Sequence, residues 1–445
     1  MYLRSVDTTL RSAARMLLAG VMVFSMAGLA QSASATTLCV NQDGKHGCSS
    51  SIGAAVSAAS PGDVIQVWPG TYSEEVIITK SLSLIAASPL QSIIDATKLS
   101  NGIWVNGMAM APNPGVANVV ISGFKVRNAN FEGILLTNAS NVTVVGNEVE
   151  DNDASLSAGT CPGIPAFETS EGQDCGEGIH LMGVDHSTIL RNEVTHNAGG
   201  ILTSDETGPS DHNLLSQNYV HDNSYDCGIT LASHAPATSI IPAAKLSFGV
   251  WYNTISRNTS LRNGTISPGA GVGIFAPSPG TTDTGNVVID NDLIDNGATG
   301  VAMHNHAAPP SPAPPVNLND NVIVGNHFSG NGPDNPGAPT SGPTGINVFS
   351  MGVISGTVIS QNTFDRESID IGFSAPSGQL NVHFNDFSSG IAIDNLSTGT
   401  VDATENWWNC ATGPNGKRCA TVQRSGVSFT PWLTAPFGDD SDDRH

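Results

Sequence analysis

Short apolar stretches alternate with polar turns along almost the whole chain, and one arrangement of them recurs. An apolar strand leads to Gly-Asn-x-Val or a close variant, a polar turn follows, and the next strand opens on Gly-Ile. The phrase is read from Asn141 to Val149, His186 to Val194, Asn213 to Val220, Asn286 to Leu293 and Asn321 to Phe328, with Asn147, Asn192, Asn218, Asn291 and Asn326 as its inner asparagines. Matching asparagines stand at 258, 362, 385 and 406, and matching Gly-Ile or Gly-Val starts at 102, 133, 178, 200, 228, 273, 300, 345 and 390. A phrase of fixed length repeated in this way predicts stacked coils. The gaps of 23 and 21 residues between Asn362, Asn385 and Asn406 fit one turn of a three-sided β-coil. Longer gaps carry Pro/Gly/Ser-rich insertions (158–172, 235–244, 307–315 and 332–343), which read as surface loops.

Helical periodicity is confined to residues 51–60, where Ile52, Ala55, Val56 and Ala59 form one stripe before the stop at Ser60-Pro-Gly-Asp63. Strands by alternation follow at 64–68, 76–79 and 81–85. The expected fold is all-β: a solenoid of about ten stacked coils with a short N-terminal capping helix over its open edge. Coils stacked about 4.8 Å apart would align the repeated Asn side chains as a ladder inside one bend, each amide donating to the next.

These features resemble the secreted right-handed parallel β-helix proteins of the pectate-lyase-like superfamily, including its NosD-like branch. Besides the repeated phrase, the resemblance rests on Gly62-Asp-Val-Ile-Gln-Val-Trp-Pro-Gly-Thr-Tyr72 and Glu405-Asn-Trp-Trp-Asn-Cys410-Ala-Thr-Gly-Pro414. It covers nearly all of residues 38–435. The fold it implies is specific; the activity is not, because this fold carries lyases, hydrolases, epimerases and adhesins.

Residues 1–35 read as a cleaved secretory signal: Arg4, Arg11 and Arg15, an apolar run from Met16 to Ala30, and Ala33-Ser-Ala35. The run is too short to span a membrane and no other exists, so a secreted or periplasmic protein is expected. The β-helix would then occupy 36–438, with an acidic tail at 439–445. Losing the leader takes the formal charge from −22 to −24, which argues against nucleic acid and anionic lipid as partners. Seven cysteines in an exported chain predict Cys39–Cys48 and Cys410–Cys419 as staples of the terminal coils and Cys161–Cys175 within a loop, leaving Cys227 as a buried thiol. A monomer is expected.

Counting outward-pointing positions from Gly178, Gly200, Gly228, Gly273, Gly300 and Gly345 gathers His180, Phe275, His304, His306, Phe349, Glu206 and His234 on one solvated face. Glu206 and His234 fall in one column on neighbouring coils, a spacing that suits a general acid/base pair. His180, Phe275, His304, His306 and Phe349 are the candidate ligand-binding residues. The face offers no Lys or Arg for a lyase. For a hydrolase, Glu206 has only Asp205, expected to point away, and Asp211 or Asp226 in turns. Tyr225, Asp226 and His234 do not form a uronan-epimerase motif. No cofactor or metal is assigned. Binding of a polysaccharide, with processing as an extension, is the leading expectation. The alternatives are a non-catalytic surface protein and a copper-handling accessory using His180, Met182, His304 and His306.

Overall fold

A computed structural model describes residues 35–437 apart from 111–114, 158–159, 168–175, 235–247, 278–279, 306–316, 335–339 and 389. The leader and the acidic tail therefore lie outside the described residues. The compact unit Thr37–His445 carries the fold. Every strand pairing between named strands is parallel, and each coil contributes strands to three columns that wind right-handedly.

The first column, which holds the Gly-Ile starts, runs from Val76–Ile78 and Ile103–Asn106 through Ile134–Val145, Glu177–Asp185, Gly199–Ser204, Ile229–Ala232, Val272–Phe275, Val301–Asn305 and Thr344–Ser350. It closes with Ile369–Ser374, Ile391–Asn395 and Thr421–Gln423, so twelve strands stack here rather than about ten. The second column continues the same large sheet, and the third forms a separate ten-stranded sheet. Register is fixed by which side chains enter the core. Ile134, Ile179, Ile201, Ile229, Val272, Val301 and Ile346 stand opposite one another in successive coils, and all are at most 1% exposed. Slipping one strand by a residue would exchange this stack for a mixed row that includes His180, Thr230 and Asn347.

The helix α1 (Ile52–Ala58) covers the N-terminal edge, burying Ile52, Ala55 and Val56. Its free amides are met by Glu74, whose carboxylate accepts from Ile52 N and Gly53 N at 2.8 Å each and so places a negative charge at the positive end of the helix. Lys80 Nζ donates to the carbonyls of Ser57 and Ala59 at the other end. The disulfides Cys39–Cys48 and Cys410–Cys419 staple the terminal coils. Cys161 is also disulfide-bonded, while Cys175 lies outside the described residues. Cys227 is buried and free.

Three asparagine ladders hold the bends, where a single one was expected. The first runs Asn147, Asn192, Asn218, Asn258, Asn291, Asn326, Asn362, Asn385 and Asn406, each Nδ2 donating to the next Oδ1 at 2.9–3.1 Å. The second runs Asn152, Asn197, Asn223, Asn263, Asn296 and Asn331, and ends on Glu367. The third joins Asn213, Asn253, Asn286 and Asn321. The residue before each rung is left-handed, with φ between 50 and 68° from Gly146 and Arg191 to Gly325 and Glu405. The Gly of the Gly-Asn phrase is thus one solution to a turn that most coils build with a larger residue. An amide suits this place because it offers both donor and acceptor, so a buried column of them leaves few polar atoms unmet.

Candidate functional site

The outward-pointing positions of the first column form the face singled out in the sequence, with one change of register. Ala232, Phe275, His304 and Phe349 pair in successive coils, so Phe275 belongs with His304 and Phe349 and not with His180. Gly271-Val-Gly273-Ile offers two possible coil starts. The chain uses Gly271, which places Val272 and Ile274 in the core.

A larger correction concerns solvent. His180 is 0% exposed, Glu206 2%, His234 5% and His304 4%, and Leu202, Thr230, Ala302 and Asn347 are buried with them. Described parts of the insertions fold back onto this face. Phe167 stacks on Trp104 at 5.7 Å. Asp334 Oδ2 sits 2.6 Å from His304 Nε2 and accepts from Asn347 Nδ2 at 2.9 Å. Phe275 and Phe349 remain partly open to solvent, flanking His304 at centroid distances of 5.7 and 6.2 Å. His306 lies outside the described residues.

The structure brings Glu206 and His234 together: Glu206 Oε1 is 2.7 Å from His234 Nδ1. Asp205 does not point away. The chain turns at Asp205–Gly208, where Gly208 N donates to Asp205 O, and the turn breaks the strand alternation. Asp205 Oδ1 accepts from His234 N at 2.6 Å and Oδ2 from Ser233 Oγ at 2.8 Å. It thereby holds the segment that carries His234. Burial, reinforced by the neighbouring Glu206 charge, pushes the Asp205 carboxyl up to about 8. Burial pushes Glu206 upward too, but the His234 imidazolium outweighs it and holds that carboxyl at about 2. Burial also raises Asp283 well above the carboxylate range, with Asp205 adding to it.

This split gives a pH dependence whose sign is fixed. Between pH 4 and 8 the unfolded chain has lost the Asp205 proton while the folded chain retains it. Stability therefore falls as pH rises across that window, by up to about 1.4 kcal/mol per pH unit for one proton. Glu206 acts in the opposite sense, and only below its ordinary value of 4.5. Asp205→Asn keeps an acceptor for His234 N and should flatten the fall, read as urea midpoints at pH 5, 6, 7 and 8. An unchanged slope would show that Asp205 is ionised in the fold.

A second buried group lies beside the first and escaped the sequence reading. Glu132 and Glu177 stand just before the Gly-Ile starts of neighbouring coils, and Glu132 Oε2 accepts from Glu177 N at 2.8 Å. His180 Nδ1 is 3.5 Å from Glu132 Oε1, and its Nε2 is 2.8 Å from Ser204 Oγ. Glu206 follows Ser204 by two residues in the same coil. A polar line thus runs from Glu132 through His180, Ser204 and Glu206 to His234 across four coils. The available signal was the pair of Glu-Gly-Ile phrases at 132 and 177.

Residues 93–244 match the family model described as the right handed beta helix region. No curated protein matches the chain. Among solved structures, the catalytic domain of a GH87 α-1,3-glucanase in complex with nigerose is similar at 13% identity and a TM-score of 0.55, over 91% of this chain and 70% of that one. The Dettilon tailspike protein is similar at 14% identity and a TM-score of 0.51, over 83% and 63%. The A-module of the Azotobacter vinelandii mannuronan C-5 epimerase AlgE4 gives 12% identity and a TM-score of 0.48, over 85% and 94%. At these identities the likeness is one of fold. The chain is a right-handed parallel β-helix protein, and none of these matches bears on the NosD-like branch.

Proposed function

We propose that this is an exported β-helix protein that binds a polysaccharide along the outer face of its first column, with Phe275 and Phe349 as the contact residues and the buried His304 spacing them. The observation that carries this reading is the row itself: two partly open aromatic rings bracket an imidazole at one-coil intervals. Two such apolar surfaces spaced along the stack suit a sugar chain lying along the helix axis. Export is supported by the signal-like leader, by the two terminal disulfides, and by the lack, among the described residues, of any helix able to cross a membrane. The neighbours with TM-scores above 0.5 include a glucanase domain, which adds to the carbohydrate reading.

A second reading, processing of the bound glycan, is favoured by the opposed proton affinities of Asp205 and Glu206. Paired groups driven apart in this way are how acid and base roles are divided. Glu206 and His234 would be its catalytic residues. The copper-handling alternative draws nothing from this geometry, since His304 is closed on Asp334 at 2.6 Å and stands four coils from His180 and Met182.

A panel of neutral and uronic polysaccharides, scored for retention of the protein and for release of products, tests both readings. Phe349→Ala is expected to weaken retention about tenfold, equivalent to ~1.4 kcal/mol, with little change in melting temperature. Product release by the wild type would establish processing. A wild-type protein retained by no glycan would leave the non-catalytic surface role.

A further inference from the structure

We propose that Glu132, Glu177 and His180 form a binding site for one divalent transition-metal ion. The three side chains come from two neighbouring coils, and one donor atom of each lies within 4.8 Å of the others. All three residues are at most 1% exposed. Proximity alone would not make a site. The second observation is that Glu132 Oε1 and His180 Nδ1, both fully buried, make no hydrogen bond and face each other at 3.5 Å. Polar atoms so deeply buried are normally paired, and a carboxylate oxygen left without a partner is costly. A cation between them supplies the missing partner.

The surroundings are those of ligands held in place from behind. Glu132 is oriented by the bond from Glu177 N to its other oxygen. His180 is oriented through Nε2 by Ser204. With the proton on Nε2 donated to the Ser204 hydroxyl, the Nδ1 lone pair is left to face the carboxylates. Such outer contacts are what fix the tautomer of a metal-binding imidazole. Gly199, opposite Glu177 in the next coil, leaves the carboxylate its room: a Cβ there would stand 2.9 Å from Glu177 Oε1.

Two oxygens and one imidazole nitrogen, with no thiolate or thioether, suit Zn²⁺ or Mn²⁺ and disfavour Cu(I). Two other trios are less apt. Glu206 and His234 are closed upon each other at 2.7 Å. In the exposed trio, His186 and His212 each pair with the acid preceding them, Asp185 and Asp211. Since every ligand is buried, the ion would enter as the coils close around it and would exchange slowly afterwards.

The test is to refold the mature chain from urea with Zn²⁺, Mn²⁺ or chelator, and to measure bound metal by mass spectrometry after desalting. About one ion per chain is expected, retained against chelator until the protein is unfolded. It should be lost in Glu132→Gln and Glu177→Gln and kept in the double change His186→Ala/His212→Ala. X-ray absorption of the wild-type protein, which needs no variant to fold, should show a single imidazole among oxygen donors. Refolded wild type without metal, metal that follows His186 and His212, or a spectrum with two or more imidazoles would each overturn the proposal.

Discussion

Asn258→Leu is expected to destabilise the protein by on the order of 4 kcal/mol, well beyond the effect of a typical surface change. Asn258 is 1% exposed. Its Oδ1 accepts from both the backbone N and the Nδ2 of Asn218, at 2.9 Å each. Its own Nδ2 donates to Leu215 O and Asn291 Oδ1. Leucine fills the volume but leaves a backbone amide and two side-chain amides short of partners in the same bend. Asn258→Asp separates the two halves of the role. It restores the acceptor for Asn218 but sets a negative charge against Asn291 Oδ1 and Leu215 O. It should therefore be as damaging at pH 8 and milder at pH 5, where the protonated acid can donate again. The fold supplies a parallel: Glu367 ends the second ladder as an acceptor from Asn331, and burial raises its carboxyl to about 7. Coils contact mainly their neighbours, so limited proteolysis should cut first near residues 218–291. Wild-type urea midpoints for both variants would show that the ladder adds nothing to stability.

The ladders also mark where sequence reading succeeds and where it stops. The first was legible because its asparagines follow an apolar strand at constant phase, the signature of a coil. The other two were not read as ladders although they keep a fixed phase to the first, Asn213, Asn253, Asn286 and Asn321 standing five residues before its rungs and Asn152 to Asn331 five after; the residues that introduce them vary from His196 and Tyr252 to Gly285 and Gly330, all left-handed. Side-chain direction at the candidate site was read from alternation, and this held through the strands. It failed at Asp205–Gly208, where a turn brings two adjacent acids to the same side. Burial was not legible at all. What covers His304 includes Asp334, from an insertion distant in sequence, and no local pattern encodes that contact. Glu132 and Glu177 were visible only as a repeated Glu before Gly-Ile, a signal with no meaning until their coils are known to be adjacent.

The burial of His234 reverses what its substitution should do. On a solvated face His234→Ala would leave the melting temperature nearly unchanged, because exposed side chains contribute within about 0.5 kcal/mol. In the structure the imidazole is 5% exposed and holds the Glu206 carboxylate, itself 2% exposed, at 2.7 Å. Removing it strips a buried anion of its counter-charge, a loss of about 3–5 kcal/mol. The Glu206 carboxyl, freed from the charge that holds it near 2, should then rise above its ordinary value, since burial alone drives it upward. Two consequences distinguish this from simple loss of packing. The defect should shrink as pH falls toward 5 and Glu206 takes up a proton. It should also shrink when Glu206→Gln is added, so that the double variant is more stable than His234→Ala alone, with a coupling of roughly 1–3 kcal/mol. A His234→Ala protein that melts with the wild type would return His234 to the surface. If the defect appears instead, lost glycan retention in this variant says nothing about contact with sugar, and Phe349→Ala is the change that does.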